Sequence, residues 1–204
     1  MNGQRQPCWR SGLMSIVAIS CALLSFEAGA QSAAADDALT MLMQQLATRG
    51  NSRASFVERK TLTVLKRPVE SSGELIYVAP DHLEKRTLLP KPETLRLDKG
   101  MLSVQRGKRS YNMSMREYPH VAAFVDTIRA ALAGDLPALE RSFTLEFRKP
   151  SDDWLLVLVP REARLARLIA LIRISGTGAG LREVTIESAD GDRSVMTIHE
   201  SAAS

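Results

Sequence analysis

Beyond residue 30 the sequence contains no cysteine, because the chain's two, Cys8 and Cys21, both fall in the first thirty residues. A domain made from residues 31–204 therefore has no disulfide, no thiol nucleophile and no cysteine metal ligand, and its fold must stand on an apolar core alone. Aromatics are scarce at 5%, and Trp154 is the only tryptophan after residue 30. Histidine is scarcer still: His82, His120 and His199 stand apart, with no second histidine at metal-ligand spacing and no His-Glu-x-x-His. There is no Gly-x-Ser-x-Gly elbow, and Ser71-Ser72 have no identifiable base nearby. The paired carboxylates Asp152-Asp153 and Asp190/Asp192 sit at turns, where Asp caps the backbone. The residues thus point away from catalysis and supply no metal site and no cofactor fingerprint. Gly176-Thr177-Gly178-Ala179-Gly180 looks like a phosphate loop, but such a loop must open a helix, whereas Leu181 to Ser188 alternates as a strand. A hairpin loop is the reading that fits.

A long apolar run is also missing. The longest, Leu13 to Phe26, falls short of the about 20 residues that a membrane-spanning helix needs. With Arg5 and Arg10 before it and Ala28-Gly29-Ala30 after it, it has the layout of a secretory signal peptide cleaved after Ala30. Acylation at Cys21 fits poorly, since Ala18-Ile19-Ser20 lacks the usual leucine and the chain stays apolar afterwards. The expected organisation is a signal peptide over 1–30 and a single domain over 31–204. Export without an anchor implies the periplasm.

Charge of one sign is lacking too. Removing Arg5, Arg10 and Glu27 with the leader takes the chain's 27 Lys and Arg and 23 Asp and Glu to 25 and 22. Arg106, Lys108 and Arg109 make the one compact basic cluster, around Gly107, which reads as a solvated hairpin tip. Nucleic acid is excluded as a partner on this balance.

What is present is a succession of short periodic segments. After a leader without evident structure, Gln31 to Asp37, the residues Leu39, Leu42, Met43 and Leu46 mark one face of a helix ended by Gly50-Asn51. Strands are predicted over Phe56 to Leu65, Glu74 to Val78, His82 to Leu89, Glu93 to Leu97, Met101 to Gln105 and Ser110 to Met115. Turns lie at Ser71-Ser72-Gly73, Asp98-Lys99-Gly100 and Gly107. A second helix carries the stripe Val121, Phe124, Val125, Ile128 and Leu132, and Gly134 and Pro137 break it before a short helical piece at Ala138 to Glu140. Strands resume at Phe143 to Phe147 and at Trp154 to Val159, whose unbroken apolar character predicts burial on both faces. A helical turn at Ala163 to Leu168 and strands at Ile169 to Ile174, Leu181 to Ser188 and Ser194 to His199 follow, the last hairpin turning on Asp190-Gly191. The fold class is α+β, mainly antiparallel β. A sheet of about ten strands curls toward a half-barrel, and the helices cover its concave mouth as a lid. An unclosed apolar hollow is a container for something greasy.

The run Phe56-Val57-Glu58-Arg59-Lys60 through Pro68, then Ser71-Ser72-Gly73-Glu74-Leu75-Ile76-Tyr77, Pro80, Leu83, Pro90 and Asp98-Lys99-Gly100, resembles the LolA-like family of periplasmic outer-membrane lipoprotein carriers. The order of elements is similar over most of residues 31–204. The resemblance implies an open half-barrel with a helical lid. It also implies a monomeric, non-enzymatic function: shielding the acyl chains of a lipoprotein or other lipid between an inner-membrane donor and an outer-membrane acceptor. The family's arginine before the proline, which latches the lid, is replaced here by Ala79. This marks a divergent branch whose cargo is either a lipoprotein or another acylated lipid. A periplasmic lipid-sensing or regulatory interaction module of the same fold is the alternative.

On this reading Leu62, Val64, Leu75, Tyr77, Leu95, Leu97 and Met113 are candidates for the cavity wall, and Phe124, Ile128 and Leu132 for the lid. For each strand residue ordinary core is the competing role, and for the helix, permanent packing on the sheet. Met101, Met113 and Met115 are either an adaptable wall or plain packing.

Overall fold

The computed structural model describes residues 27–48, 50–115 and 127–200, with side chains from residue 35 onward. The chain divides into two compact units, Met1–Ala34 and Ala35–Ser204. Of the first, only the backbone of 27–34 is described, and the expected signal peptide lies otherwise outside the described residues.

The elements run α1 (Glu27–Thr48), β1 (Ser52–Thr61), β2 (Val69–Val78), β3 (His82–Leu89), β4 (Glu93–Asp98), β5 (Met101–Arg106) and β6 (Arg109–Ser114). A helix described over 127–133, here α2, follows. Then come α3 (Leu136–Ser142), β7 (Phe143–Arg148), β8 (Asp153–Pro160), α4 (Ala163–Ala166), β9 (Ile169–Thr177), β10 (Gly180–Ser188) and β11 (Arg193–Glu200). The eleven strands form one antiparallel sheet in the order β6-β5-β4-β3-β2-β1-β11-β10-β9-β8-β7. Two meanders are thus joined at a seam between β1 and β11, where Phe56 faces Ile198 and Glu58 faces Met196. The edge strands β6 and β7 are not paired with each other, so the sheet is left unclosed.

Alternation sorts the strands into two faces. Ala54, Phe56 and Glu58 of β1 are buried while Arg53, Ser55, Val57 and Arg59 are exposed, which is the signature of one face turned inward. Trp154, Leu156 and Leu158 do the same on β8, and Ile172 and Ile174 on β9. The inner residues of β8 and β9 pack with Leu39, Leu42, Met43 and Leu46 of α1, Ala130 of α2 and Leu139 of α3 into the main core. A second, small core joins Leu97, Leu102 and Met115.

Several expectations are corrected. The leader Gln31 to Asp37 is helical, part of α1. The first strand stops at Thr61, because Asp192 accepts hydrogen bonds from both the backbone N–H and the hydroxyl of Thr63, at 2.7 and 3.0 Å, and bends the chain into a turn. Ser71-Ser72-Gly73 is not a turn but part of β2, with a bulge at Ser72/Gly73. Glycine is required there by proximity: a Cβ at Gly73 would stand 1.8 Å from the Arg86 carbonyl oxygen. The β8 run is not buried on both faces, since Val159 is 45% exposed and Leu155 and Val157 are half-buried. The last hairpin turns over the four residues 189–192 rather than two. The start of the second helix, with Val121, Phe124 and Val125, lies outside the described residues.

Candidate functional site

The curl of the sheet can be read from what shares one space. Leu97 on β4 and Leu156 on β8 are seven strands apart, which in a flat sheet would be about 34 Å at about 4.8 Å per strand. Both nevertheless line a single hollow of about 560 Å³. Its walls are largely aliphatic: Leu75, Leu83 and Leu95 from β2 to β4, Ile172 and Ile174 from β9, Val184 and Ile186 from β10, and Met196 and Ile198 from β11. Met43 and Leu46 of α1 and Ile128, Ala131 and Leu132 of α2 also line it. A smaller cavity of about 200 Å³, between Leu46, Tyr77, Pro80 and Leu132, lies where the two helices meet the end of β2.

Leu62, Leu75, Tyr77, Leu95, Leu97, Ile128 and Leu132, proposed from sequence, all border the hollow. Leu97 and Tyr77 are nearly buried, at 4% and 5% exposure, and the Tyr77 hydroxyl donates to the Pro80 carbonyl at 3.3 Å. Val64 does not border it: the turn after β1 leaves it 85% exposed. Met113 packs instead beside the small core of Leu97, Leu102 and Met115. Phe124 lies outside the described residues. Met101 is 46% exposed.

α2 is held by backbone contact. Gly134 ends it at φ 66°, and a Cβ on that residue would stand 2.0 Å from the Met43 carbonyl oxygen in α1. α3 then starts on Asp135, whose carboxylate accepts from the Ala138 N–H at 3.0 Å. On β8 the Trp154 indole N–H donates to the Gly178 carbonyl at 2.8 Å, which fixes a large flat side chain against the hollow.

Sequence reasoning missed the charged group in the floor. Glu58 is 4% exposed yet borders the hollow. Its carboxylate accepts hydrogen bonds from the Ser194 hydroxyl at 2.7 Å, the Ser71 hydroxyl at 3.3 Å and the Lys85 ammonium, and lies 3.4 Å from the Lys60 ammonium. Burial pushes this carboxyl up. The charge and hydrogen bond of Lys85, the Ser194 hydrogen bond and the charge of Lys60 outweigh it and hold it below the usual range. The Lys85 ammonium also sits 4.8 Å from the centre of the Phe56 ring. A sequence signal existed: Glu58 follows Ala54 and Phe56 at two-residue steps, on the face that turns inward.

A second buried carboxylate, Glu84, faces the other way, since its neighbours in β3, Leu83 and Lys85, border the hollow. It pairs with Arg96 at 2.9 Å and with Arg86, and His82 stands 3.6 Å away. Burial raises its pKa, but the hydrogen bonds and charges of Arg96 and Arg86 prevail and depress it. This group ties β3 to β4 on the outside.

A family model described as outer membrane lipoprotein carrier protein LolA-like matches residues 29–204. No curated protein matches the chain. Among solved structures, a DUF1329 family protein from Desulfovibrio piger aligns at 10% identity over 85% of this chain and 94% of that one, with a TM-score of 0.48. A LolA superfamily protein from Nitrosomonas europaea aligns at 8% identity over 79% and 90%, with a TM-score of 0.42. The lipoprotein LppX of Mycobacterium tuberculosis aligns at 12% identity over 83% and 98%, with a TM-score of 0.41.

Proposed function

Since the chain belongs to the family of outer membrane lipoprotein carrier LolA-like proteins, we propose that it is a non-enzymatic periplasmic carrier that shields the acyl chains of a lipoprotein or other lipid in transit toward the outer membrane. In this proposal residues 1–30 are removed after export and residues 31–204 act as one monomeric carrier domain. An inner-membrane donor loads it and an outer-membrane acceptor empties it.

The observation that supports the reading is the hollow of about 560 Å³ with its aliphatic walls. At about 30 Å³ per water-sized group it holds on the order of 19 such groups, enough for one acyl chain. Each methylene moved from water to such a wall contributes about 0.8 kcal/mol, so a twelve-carbon chain gives about 10 kcal/mol before ordering costs. The proposed contacts are Leu62, Leu75, Tyr77, Leu95 and Leu97 on the sheet and Ile128 and Leu132 on α2, with Met43 and Leu46 of α1 added by their position.

The test is native mass spectrometry of the protein isolated from periplasm, together with titration of a fluorescent fatty acid into the delipidated protein. Bound acyl species and saturable binding are expected. Leu95→Trp, which narrows the hollow from a half-buried wall position, should weaken the binding while the protein remains folded. A protein that is consistently empty and ignores the probe would overturn the carrier reading. A stable stoichiometric protein partner on an empty hollow would instead favour the regulatory one.

A further inference from the structure

The hollow is not uniformly apolar, and both of its lysines, Lys60 and Lys85, stand at one side beside Glu58. Along the inner face of β1 the residues run Ser52, Ala54, Phe56, Glu58 and Lys60. Across the seam the same rows of β11 hold Ile198 opposite Phe56, Met196 opposite Glu58 and Ser194 opposite Lys60. Phe56 is therefore set in aliphatic surroundings, with Glu200 beyond it opposite Ala54, and the later part of β1 lies among Ser71, Ser194, Lys60 and Lys85. The helices lie toward the former side: Leu46 and Leu132 meet Tyr77 there, and Tyr77 pairs with Ser52.

Around Glu58 the charges do not cancel. Glu58 is one carboxylate within salt-bridge reach of two ammonium groups, Lys60 and Lys85, so the cluster carries one net positive charge. Glu58 has its acceptors occupied by two hydroxyls and an ammonium. Lys85 has three donors, and among the described residues its one polar partner is Glu58. Its side chain is 22% exposed and borders the hollow. Glu58 and the Phe56 ring hold the ammonium in place, so little further ordering is needed when an acceptor arrives.

We propose that Lys85, positioned by Glu58 and Phe56 and assisted by Lys60, is a head-group anchor, and that the hollow takes an acyl chain bearing an anionic oxygen head. In the bound state that head, a carboxylate or a phosphate, sits against Lys85, and the tail runs toward Tyr77 beneath Leu46 and Leu132. The inference rests on the carrier reading and narrows it to acidic lipids held in one orientation.

The experiment compares matched pairs of one chain length in the delipidated protein: laurate against methyl laurate, and dodecyl phosphate against dodecanol. The wild-type protein should bind the anionic member of at least one pair roughly tenfold to a hundredfold more tightly, the range of one charge-assisted hydrogen bond. The pair with the larger ratio identifies the head as carboxylate or phosphate. Lys85→Met should bring both ratios to near one while the ester and the alcohol still bind. Should Lys85→Met fold poorly with Glu58 less well paired, Lys85→Gln, which removes the charge but can still donate to Glu58, serves in its place. Equal affinities in the wild-type protein, or a preference for anions that survives loss of Lys85, would refute the anchor while leaving the carrier reading intact. If none of the four ligands binds, the carrier reading itself fails and the anchor with it.

Discussion

Gly134 offers the sharpest physical test of how the helices are fixed over the sheet. Replacing it with alanine does two separable things. First, the residue has φ 66°, where a side chain costs about 1–2 kcal/mol. Second, the new Cβ would stand 2.0 Å from the Met43 carbonyl oxygen and 2.9 Å from the Ala47 nitrogen, both of them backbone. Because real Cβ contacts do not fall below 3.0 Å, the α2–α3 turn and α1 must part by about 1 Å. Overpacking of this kind costs about 1–3 kcal/mol, so Gly134→Ala should lose about 2–5 kcal/mol in all. For a domain of this size that is a fall in Tm of roughly 4–20 °C. Gly107 supplies the control, since its φ is 57° and nothing lies within 4 Å of its would-be Cβ. Gly107→Ala should show the conformational cost alone, a fall of roughly 2–8 °C. Thermal unfolding followed by circular dichroism reads both. Equal falls for the two variants would mean that α1 and the α2–α3 turn are not in backbone contact, and the packing argument would be wrong.

Two further outcomes follow from the site. Glu58 and Glu84 both have folded-state carboxyls depressed below 4.5, so the folded protein binds fewer protons than the unfolded chain in acid. Their contribution to stability is complete above about pH 5 and is lost as pH falls through the folded values; Glu58→Gln should therefore cost about 2 kcal/mol near neutrality and show a shallower loss on acidification, and a wild-type Tm that does not drop between about pH 6 and pH 3 would contradict the assignment. Trp154 is 3% exposed and borders the hollow, and it is the sole tryptophan of residues 31–204. Laurate binding should change its emission in proportion to occupancy, and saturable binding without any spectral change would place the ligand elsewhere.

The sequence made the hairpins legible because their chemistry is local. Lys99-Gly100 and Gly107-Lys108 connect β4 to β5 and β5 to β6 where turn residues predicted, and the α1 face of Leu39, Leu42, Met43 and Leu46 is buried as its spacing requires. What was hidden depends on distant partners. The end of β1, and with it the outward position of Val64, is set by Asp192, 129 residues along the chain from Thr63. Gly73 reads as a turn residue until the Arg86 carbonyl is known to press on it. Lys85 was invisible for a different reason. In His82-Leu83-Glu84-Lys85-Arg86 a single apolar residue stands among charges, so no alternation says which face is inner. Only the pairing of Lys85 with Leu75 and Leu95 shows it.

The distribution of burial explains how such a molecule could empty without unfolding. The main core belongs to β7–β10 and the helices: Leu139, Phe143, Leu156 and Leu158 are at most 1% exposed, and Ile172 only 2%. On β2 to β4 the inner residues Leu75, Leu83 and Leu95 are only half-buried, and the fully buried apolar residues of β4–β6 and the residue after them are the three of the small second core. Stability is therefore concentrated in one half of the sheet, while the other half presents aliphatic wall that the described protein only partly covers. A chain that used all its apolar residues to fold would have no such surface to offer. Here the half carrying Lys85 is also the half left open, so on the carrier reading a ligand would complete the packing of β2 to β4 against Trp154, Leu156, Ile172 and Ile174, which are buried in its absence as well.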